Sequence, residues 1–154
     1  MNTLLDRNYP AHPVPVSRHN TCIILHVTIC THQRKAILTD QKFHACLRGK
    51  WTEAKHWRVG NYVIMADHIH MFCIPGITPP QPLASWIGYW KRMVSREFPA
   101  ARPLWQKDFW DTQMRTLDQY TEKLSYVRMN PVRKELVSAP EDWPFSGELN
   151  VFTW

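Results

Sequence analysis

Two apolar segments of β-type composition, Trp57–Met65 and Ile69–Ile74, are joined by a tight connection at Ala66-Asp67. Strands connected that closely run antiparallel, because a parallel crossover needs roughly a dozen residues or more. Whatever this chain folds into has to be built around that pair. Thr21–Cys30, "TCIILHVTIC", is apolar and β-branched and reads as a buried strand. Trp105–Met114 reads as a fourth. Asp40–Lys50 reads as a short basic helix ended near Gly49. A longer helix is predicted over Leu83–Phe98, where Leu83, Trp86, Ile87, Trp90 and Val94 fall on one stripe and Lys91, Arg92 and Arg96 lie off it. Pro75–Pro82 is a loop, and residues 1–19, without periodicity, read as an irregular N-terminal arm.

The order is β-α-β-β-α-β followed by one more helix. That is the α+β class with a ferredoxin-like split βαβ pattern: one antiparallel sheet, helices on one face, and an added C-terminal helix bearing a tyrosine. No internal repeat or linker interrupts the 154 residues, so a single domain spanning 1–154 is expected.

The formal charge is +6. Residues 1–77 carry nine Lys/Arg against four Asp/Glu, and the excess concentrates in Arg34, Lys35, Lys42, Arg48, Lys50, Lys55 and Arg58. Trp51 and Trp57 lie inside that stretch. Cations interleaved with aromatics suit a polyanion with π-faces, a nucleic acid, with Trp51 and Trp57 as candidates for base stacking. Lys91, Arg92 and Arg96 would extend the same contact. Cys22, Cys30, Cys46 and Cys73 form no CxxC pair and read as reduced thiols of a cytoplasmic protein. The N-terminus lacks the apolar core of a signal peptide, and the longest apolar run, Cys22–Cys30, is too short to span a membrane.

In "MADHIHMF", residues 65–72, His68 and His70 are two apart on a strand and point to the same side. Either they hold a metal or they pack. Two imidazoles plus an amide carbonyl would make a mixed N/O site with open positions, suited to Mg²⁺, Mn²⁺ or Zn²⁺. His26 and Thr28 share a strand face and could lie nearby. Thr116-Leu-Asp-Gln119 resembles a capping box, opening a helix that runs to about Asn130, where Pro131 marks its end. On that helix Leu117, Tyr120, Leu124 and Val127 form the stripe expected to meet the sheet. Tyr126 falls opposite the stripe, and Asn130 lies one turn further along the same side.

"MADHIHMF" followed by "YVRMNPVRKELV" resembles the HUH single-tyrosine transposases, and within them the REP-associated tyrosine transposases of bacteria. "HVTICTHQRK" (His26–Lys35), "WQKDFWDTQMR" (Trp105–Arg115) and "DWPFS" (Asp142–Ser146) resemble further segments of that group, so the likeness covers roughly residues 24–146. The resemblance implies that His68 and His70 bind a divalent metal, Mg²⁺ or Mn²⁺, that Asn130 completes the site, and that Tyr126 is a nucleophile. It implies a ferredoxin-like sheet and single-stranded DNA, cut near hairpins formed by repetitive extragenic palindromes, as substrate. The chain departs from the group at Ala66, where Pro is usual, and at Lys134-Glu135, where the second residue is usually Gly.

The expected reaction is a transesterification in which Tyr126 displaces a DNA 3′-oxygen and becomes a 5′-phosphotyrosine, conserving the phosphoester for rejoining. A monomer is expected, rather than a dimer. Two other readings use the same residues. One is a hairpin-binding protein without chemistry. The other is a two-histidine phosphoesterase using His26-Val-Thr28 and His68-Ile-His70, which would need neither Tyr126 nor metal.

Overall fold

The structure, a computed structural model, describes residues 23–153. Strands β1 (Ile24–Cys30), β2 (Trp57–Ile64), β3 (His68–Pro75), β4 (Trp110–Met114) and β5 (Ser146–Glu148) form one sheet in the order β4-β1-β3-β2-β5. Every pairing is antiparallel. With helices α1 (Gln41–Glu53) and α2 (Leu83–Glu97), the first four strands make the split βαβ arrangement read from the sequence. The N-terminal arm and residues 21 and 22 of the first strand segment lie outside the described residues. The fourth strand is shorter than its segment: Trp105 makes only an isolated bridge to Thr31, and regular pairing starts at Trp110. β5 has no β-type run to announce it and exists through its pairing with Asn61–Val63.

α1 starts where its cap dictates. The Asp40 carboxylate accepts from the backbone N–H groups of Lys42 and Phe43, at 2.8 and 3.2 Å. The helix passes through Gly49 and ends at Glu53, beyond the stop expected from the sequence. A mid-helix glycine costs about 1 kcal/mol. Burial of Leu47 and Trp51 on either side of Gly49 outweighs it. α3 (Leu117–Arg128) opens on Thr116, whose hydroxyl accepts from Gln119 N at 3.1 Å, while the Gln119 side chain accepts from Arg115 N at 2.7 Å. α3 ends at Arg128, and Asn130 opens a separate short helix, α4 (Asn130–Arg133), with Pro131 in its first turn. Proline thus breaks the helix slightly earlier than expected, and Asn130 belongs to the second piece.

The helices are not all on one face. α1 and α2 cover the face that carries Leu25, Val27, Ile29, Ile69, Met71 and Cys73, packing Leu47, Trp51, Trp86, Ile87, Trp90 and Val94 against it. α3 covers the opposite face, where Val127, Tyr120 and Leu124 meet Ile24, Val63, Phe72 and Met114. Leu117, expected on that packing stripe, is 49 % exposed at the start of the helix. Strand alternation needs one correction to serve both layers. Val59 and Tyr62 both face α1 and α2, which simple period-2 alternation forbids, and a register shift between them in the β2–β3 ladder absorbs the mismatch.

α4 terminates in a Schellman arrangement: Glu135 N donates to Val132 O and Leu136 N to Pro131 O, both at 2.9 Å. Glu135 occupies the left-handed position of that motif, at φ 59°. The group that the sequence resembles usually has glycine here, and a left-handed φ is a physical reason for it. Glu135→Gly relieves the Cβ strain and is expected to raise stability by up to about 1 kcal/mol, read as a higher urea midpoint at unchanged slope.

Candidate active site

The β1–β3 register places Thr28 opposite His70 and His26 opposite Phe72. His26, Thr28, His68, His70 and Phe72 have one parity and share the face under α3, away from α1 and α2. His70 Nδ1 lies 3.1 Å from His26 Nε2 and 3.2 Å from Thr28 Oγ1. His68 and His70 stand edge to face with centroids 4.9 Å apart. His68 Nδ1 is 2.7 Å from the Asp67 carboxylate, whose other oxygen accepts from Arg34 Nε at 2.9 Å. On both rings Nδ1 is thus engaged by the protein, and Nε2 is the nitrogen left for a ligand.

The backbone holds this corner firmly. Thr31 N donates to Asp67 O at 3.0 Å and Leu38 N to Ala66 O at 2.9 Å, tying the β2–β3 turn to the end of β1. Gln33 and Arg34 both have φ of 53°. Non-glycine residues adopt that left-handed region at a cost, and here it accompanies the contact of Arg34 with Asp67.

α3 and α4 bring the remaining groups. Asn130 is 9 % exposed, and its carboxamide lies 3.5 Å from His68 Nε2. A half-turn of the amide puts its carbonyl oxygen in the same place. Tyr126 is 59 % exposed on the side of α3 turned from the core, as its wheel position requires. Two cations attend its ring: the Arg133 guanidinium at 3.8 Å from the centroid and the Lys123 ammonium at 5.4 Å. The same two side chains bear electrostatically on His70.

Charge in this corner is set mainly by burial. Burial, with Lys123 adding to it, pushes His26 down to about 3. Burial, then the neighbouring His26, His68, Lys123 and Arg133, pushes His70 down to about 2. Both imidazoles are therefore neutral at physiological pH, the form that donates a lone pair to a metal. Burial alone would raise the Asp67 carboxyl, but the bonds from Arg34 and His68 outweigh it and hold it below its ordinary range. Among the described residues no group of three His, Cys, Asp or Glu side chains is arranged to hold a metal ion. The residues that could hold one are His68 and His70, each through Nε2, and the Asn130 amide oxygen, with the Asp67 carboxylate behind His68. This fits a divalent cation that keeps open positions.

The structure disperses the rest of the candidate set. Arg34 joins the site through Asp67, and Lys35 lies beside it, pointing to Pro103 O at 3.5 Å. Lys42, Arg48 and Lys50 belong to α1, with Arg48 donating to the Tyr62 hydroxyl and Lys50 paired with Glu97 at 3.1 Å. Lys55 and Arg92 line one cavity beside the end of α1, and Arg96 lies along α2. Arg58 sits near the far end of β2, bonded to Asn150 at 3.0 Å. The α1 and α2 residues are thus on the other side of the sheet from Tyr126.

Three assignments are corrected. Trp51 and Trp57 are 3 % and 1 % exposed and have no face for a base; they are core. Lys91 is 8 % exposed, and its ammonium donates to Gln106 O at 3.0 Å. The cluster gains Asp67, Lys123 and Arg133, which sequence reasoning did not single out. Lys123 sits one turn before Tyr126, so helical spacing could have found it. Arg133 lies beyond the helix break and left no such signal.

A five-stranded antiparallel sheet carries paired histidines on β3, and α3, which bears an outward-facing tyrosine, covers that face; comparison with known proteins places this arrangement in a class. The family described as "Transposase IS200 like" matches residues 20–127. The chain belongs to that family. It is 28 % identical over 121 residues to the REP-associated tyrosine transposase of Escherichia coli strain K12, covering 75 % of this chain and 69 % of that protein. Its fold matches the structure of a REP-associated tyrosine transposase bound to a REP hairpin, with a TM-score of 0.69 at 22 % identity, over 87 % of this chain and 82 % of the other. Among the described residues no helix is long and apolar enough to cross a membrane.

Burial pushes the Lys91 ammonium down to about 8. Its folded-state value lies below the unfolded value of about 10.4, so the folded state binds fewer protons between the two. Stability owed to this group therefore rises with pH across that window. Relative to Lys91→Met, the wild type is expected to gain on the order of 3 kcal/mol from pH 7 to beyond pH 10, measured as paired urea unfolding curves.

Proposed function

We propose that the chain is a metal-dependent single-stranded DNA endonuclease and strand transferase that cuts beside DNA hairpins. What supports this reading is the contact of Asn130 with His68, and the two cations, Arg133 and Lys123, that lie against the Tyr126 ring and also bear electrostatically on His70. The phenol oxygen of Tyr126 attacks a backbone phosphorus. The bond from phosphorus to the 3′-oxygen breaks, leaving a 5′-phosphotyrosine and a free 3′-hydroxyl. His68, His70 and Asn130 would hold Mg²⁺ or Mn²⁺, which when bound supplies positive charge to a non-bridging phosphate oxygen.

The chain's own residues do the rest. Phenols ionise near pH 10, so charge developing on the Tyr126 oxygen needs support, and Arg133 and Lys123 stand against its ring. The same cations meet the incoming phosphate. The amide of Asn130 contributes an oxygen without the negative charge that a carboxylate would set beside the phosphate. The contact of Asn130 with His68 is made within one chain, and action as a monomer is part of this proposal. A hairpin DNA partner is supported by the REP hairpin bound to the structural relative. Phosphate contact along the strand falls first to Arg34, beside His68, and to Lys123 and Arg133, against the Tyr126 ring.

The two-histidine phosphoesterase reading is weakened by the same geometry. His26 is committed to His70, and its lowered basicity leaves it unprotonated where a general acid would have to carry a proton.

Incubation with labelled hairpin oligonucleotides carrying single-stranded flanks, in Mn²⁺, is expected to yield a denaturant-resistant protein–DNA adduct. Tyr126→Phe, His68→Ala and a chelator are each expected to abolish it. Retained salt-dependent hairpin binding without any wild-type adduct would replace catalysis by binding alone. Arg133→Ala is expected to slow adduct formation about 10²-fold or more, with hairpin affinity changed far less. Equal loss of both would reduce Arg133 to a phosphate contact.

A further inference from the structure

Nothing in the proposed chemistry requires His26, a buried imidazole with little access to solvent. It is 8 % exposed, packed against Phe72 at 5.1 Å and nearly coplanar with His70, at an interplanar angle of 16°. A polar ring so placed on the face of a central strand normally has a partner, and the partner here is His70 Nδ1.

We infer that His26 is a positioning residue: its Nε2 accepts the Nδ1–H of His70 and so fixes His70 in the tautomer whose Nε2 carries the lone pair. This rests on the metal-dependent reading above, because only that tautomer can bind a cation through Nε2. Neutral imidazole has one proton for two nitrogens. A proton on Nδ1 satisfies the contact with His26 and leaves Nε2 as donor. A proton on Nε2 makes Nδ1 the acceptor and closes the ring to metal. Thr28 Oγ1, at 3.2 Å from the same Nδ1, can share the same proton as a second acceptor.

The arrangement parallels the one at His68, where the Asp67 carboxylate takes Nδ1. The two metal-facing rings are thus held by different means, one by a carboxylate and one by a neutral imidazole. An imidazole acceptor adds no negative charge, whereas a second carboxylate behind His70 would. A neutral imidazole has one ring nitrogen free to accept, and on His26 it is Nε2, 3.1 Å from His70 Nδ1, that is placed to do so. Its position follows from the register, since His26 lies diagonally across from His70 on the neighbouring strand.

The test begins with metal-free, ¹⁵N-labelled wild type. Long-range ¹H–¹⁵N correlation spectra at pH 7 are expected to show His70 protonated at Nδ1. Protonation at Nε2 overturns the inference, however the variants behave. The double variant His26→Leu/Thr28→Val is then expected to populate the Nε2–H form and to weaken Mn²⁺ binding about tenfold or more, the usual effect of removing a metal ligand's supporting partner. His26→Gln, which returns an amide oxygen near the Nε2 position, is expected to restore Mn²⁺ affinity to within about threefold of wild type. Circular dichroism verifies that each variant is folded. Unchanged Mn²⁺ affinity in the folded double variant overturns the positioning role. A wild type with His70 protonated at Nδ1 that binds no Mn²⁺ at all overturns the metal-dependent function instead.

Discussion

The antiparallel pairing of β1 with β3 is the constraint on which the rest of the molecule depends. Its register sets Thr28 opposite His70 and Ile29 opposite Ile69. One face of that ladder is wholly apolar and buried against α1 and α2, while the other carries the histidines. A slip by one residue would exchange the two faces, placing imidazoles in the tryptophan-lined core and leucine and valine at the site. The buried mass of Leu25, Val27, Ile29, Met71 and Cys73 therefore specifies the geometry of the site as well as the stability of the fold.

A sheet covered on both sides separates two tasks. The α1 and α2 layer supplies most of the apolar burial, including Trp51, Trp86 and Trp90 stacked edge to face with centroids 5.7 to 6.1 Å apart. The α3 layer is thinner and leaves room for polar groups. Val127 alone of α3 is fully buried, and Tyr126 beside it faces out. The broken junction at Met129 and the second short helix then bring Asn130 over His68 and fold Arg133 back onto Tyr126. A straight, unbroken helix would have carried Arg133 about two turns past the tyrosine.

Within the site, desolvation and positive charge act in the same direction. Burial disfavours protonated His26 and His70, and the ammonium and guanidinium from α3 and α4 disfavour His70⁺ further. The charges that would assist a phosphate also disfavour protonation of the His70 imidazole. Asp67 is the exception, a carboxylate kept ionised by its own arginine. Its negative charge lies behind His68, at Nδ1.

Much of the fold was legible in the sequence because it is written in local patterns. The β-branched runs, the stripe of α2, the Thr116 cap and the break at Pro131 each depend on near neighbours, and each is present. Whereas the helix period read for Tyr126 and Asn130 is interrupted by the break at Met129, the spacing of His68 and His70 was legible for the same reason, as a strand period. β5 was not, because a three-residue strand with no apolar pattern exists only through its partner. Nor was the burial of Lys91, Trp51 and Trp57, since a basic, aromatic stretch looks alike whether its rings face solvent or core. The side of the sheet chosen by α3, the contact of His26 with His70, the hold of Arg34 on Asp67 and the return of Arg133 join residues distant in the chain. The sequence by itself determined which side chains could do chemistry and how each is spaced on its own element. Only the tertiary structure decided which of them meet, because strand register and the direction of a broken helix are settled by packing across the whole sheet.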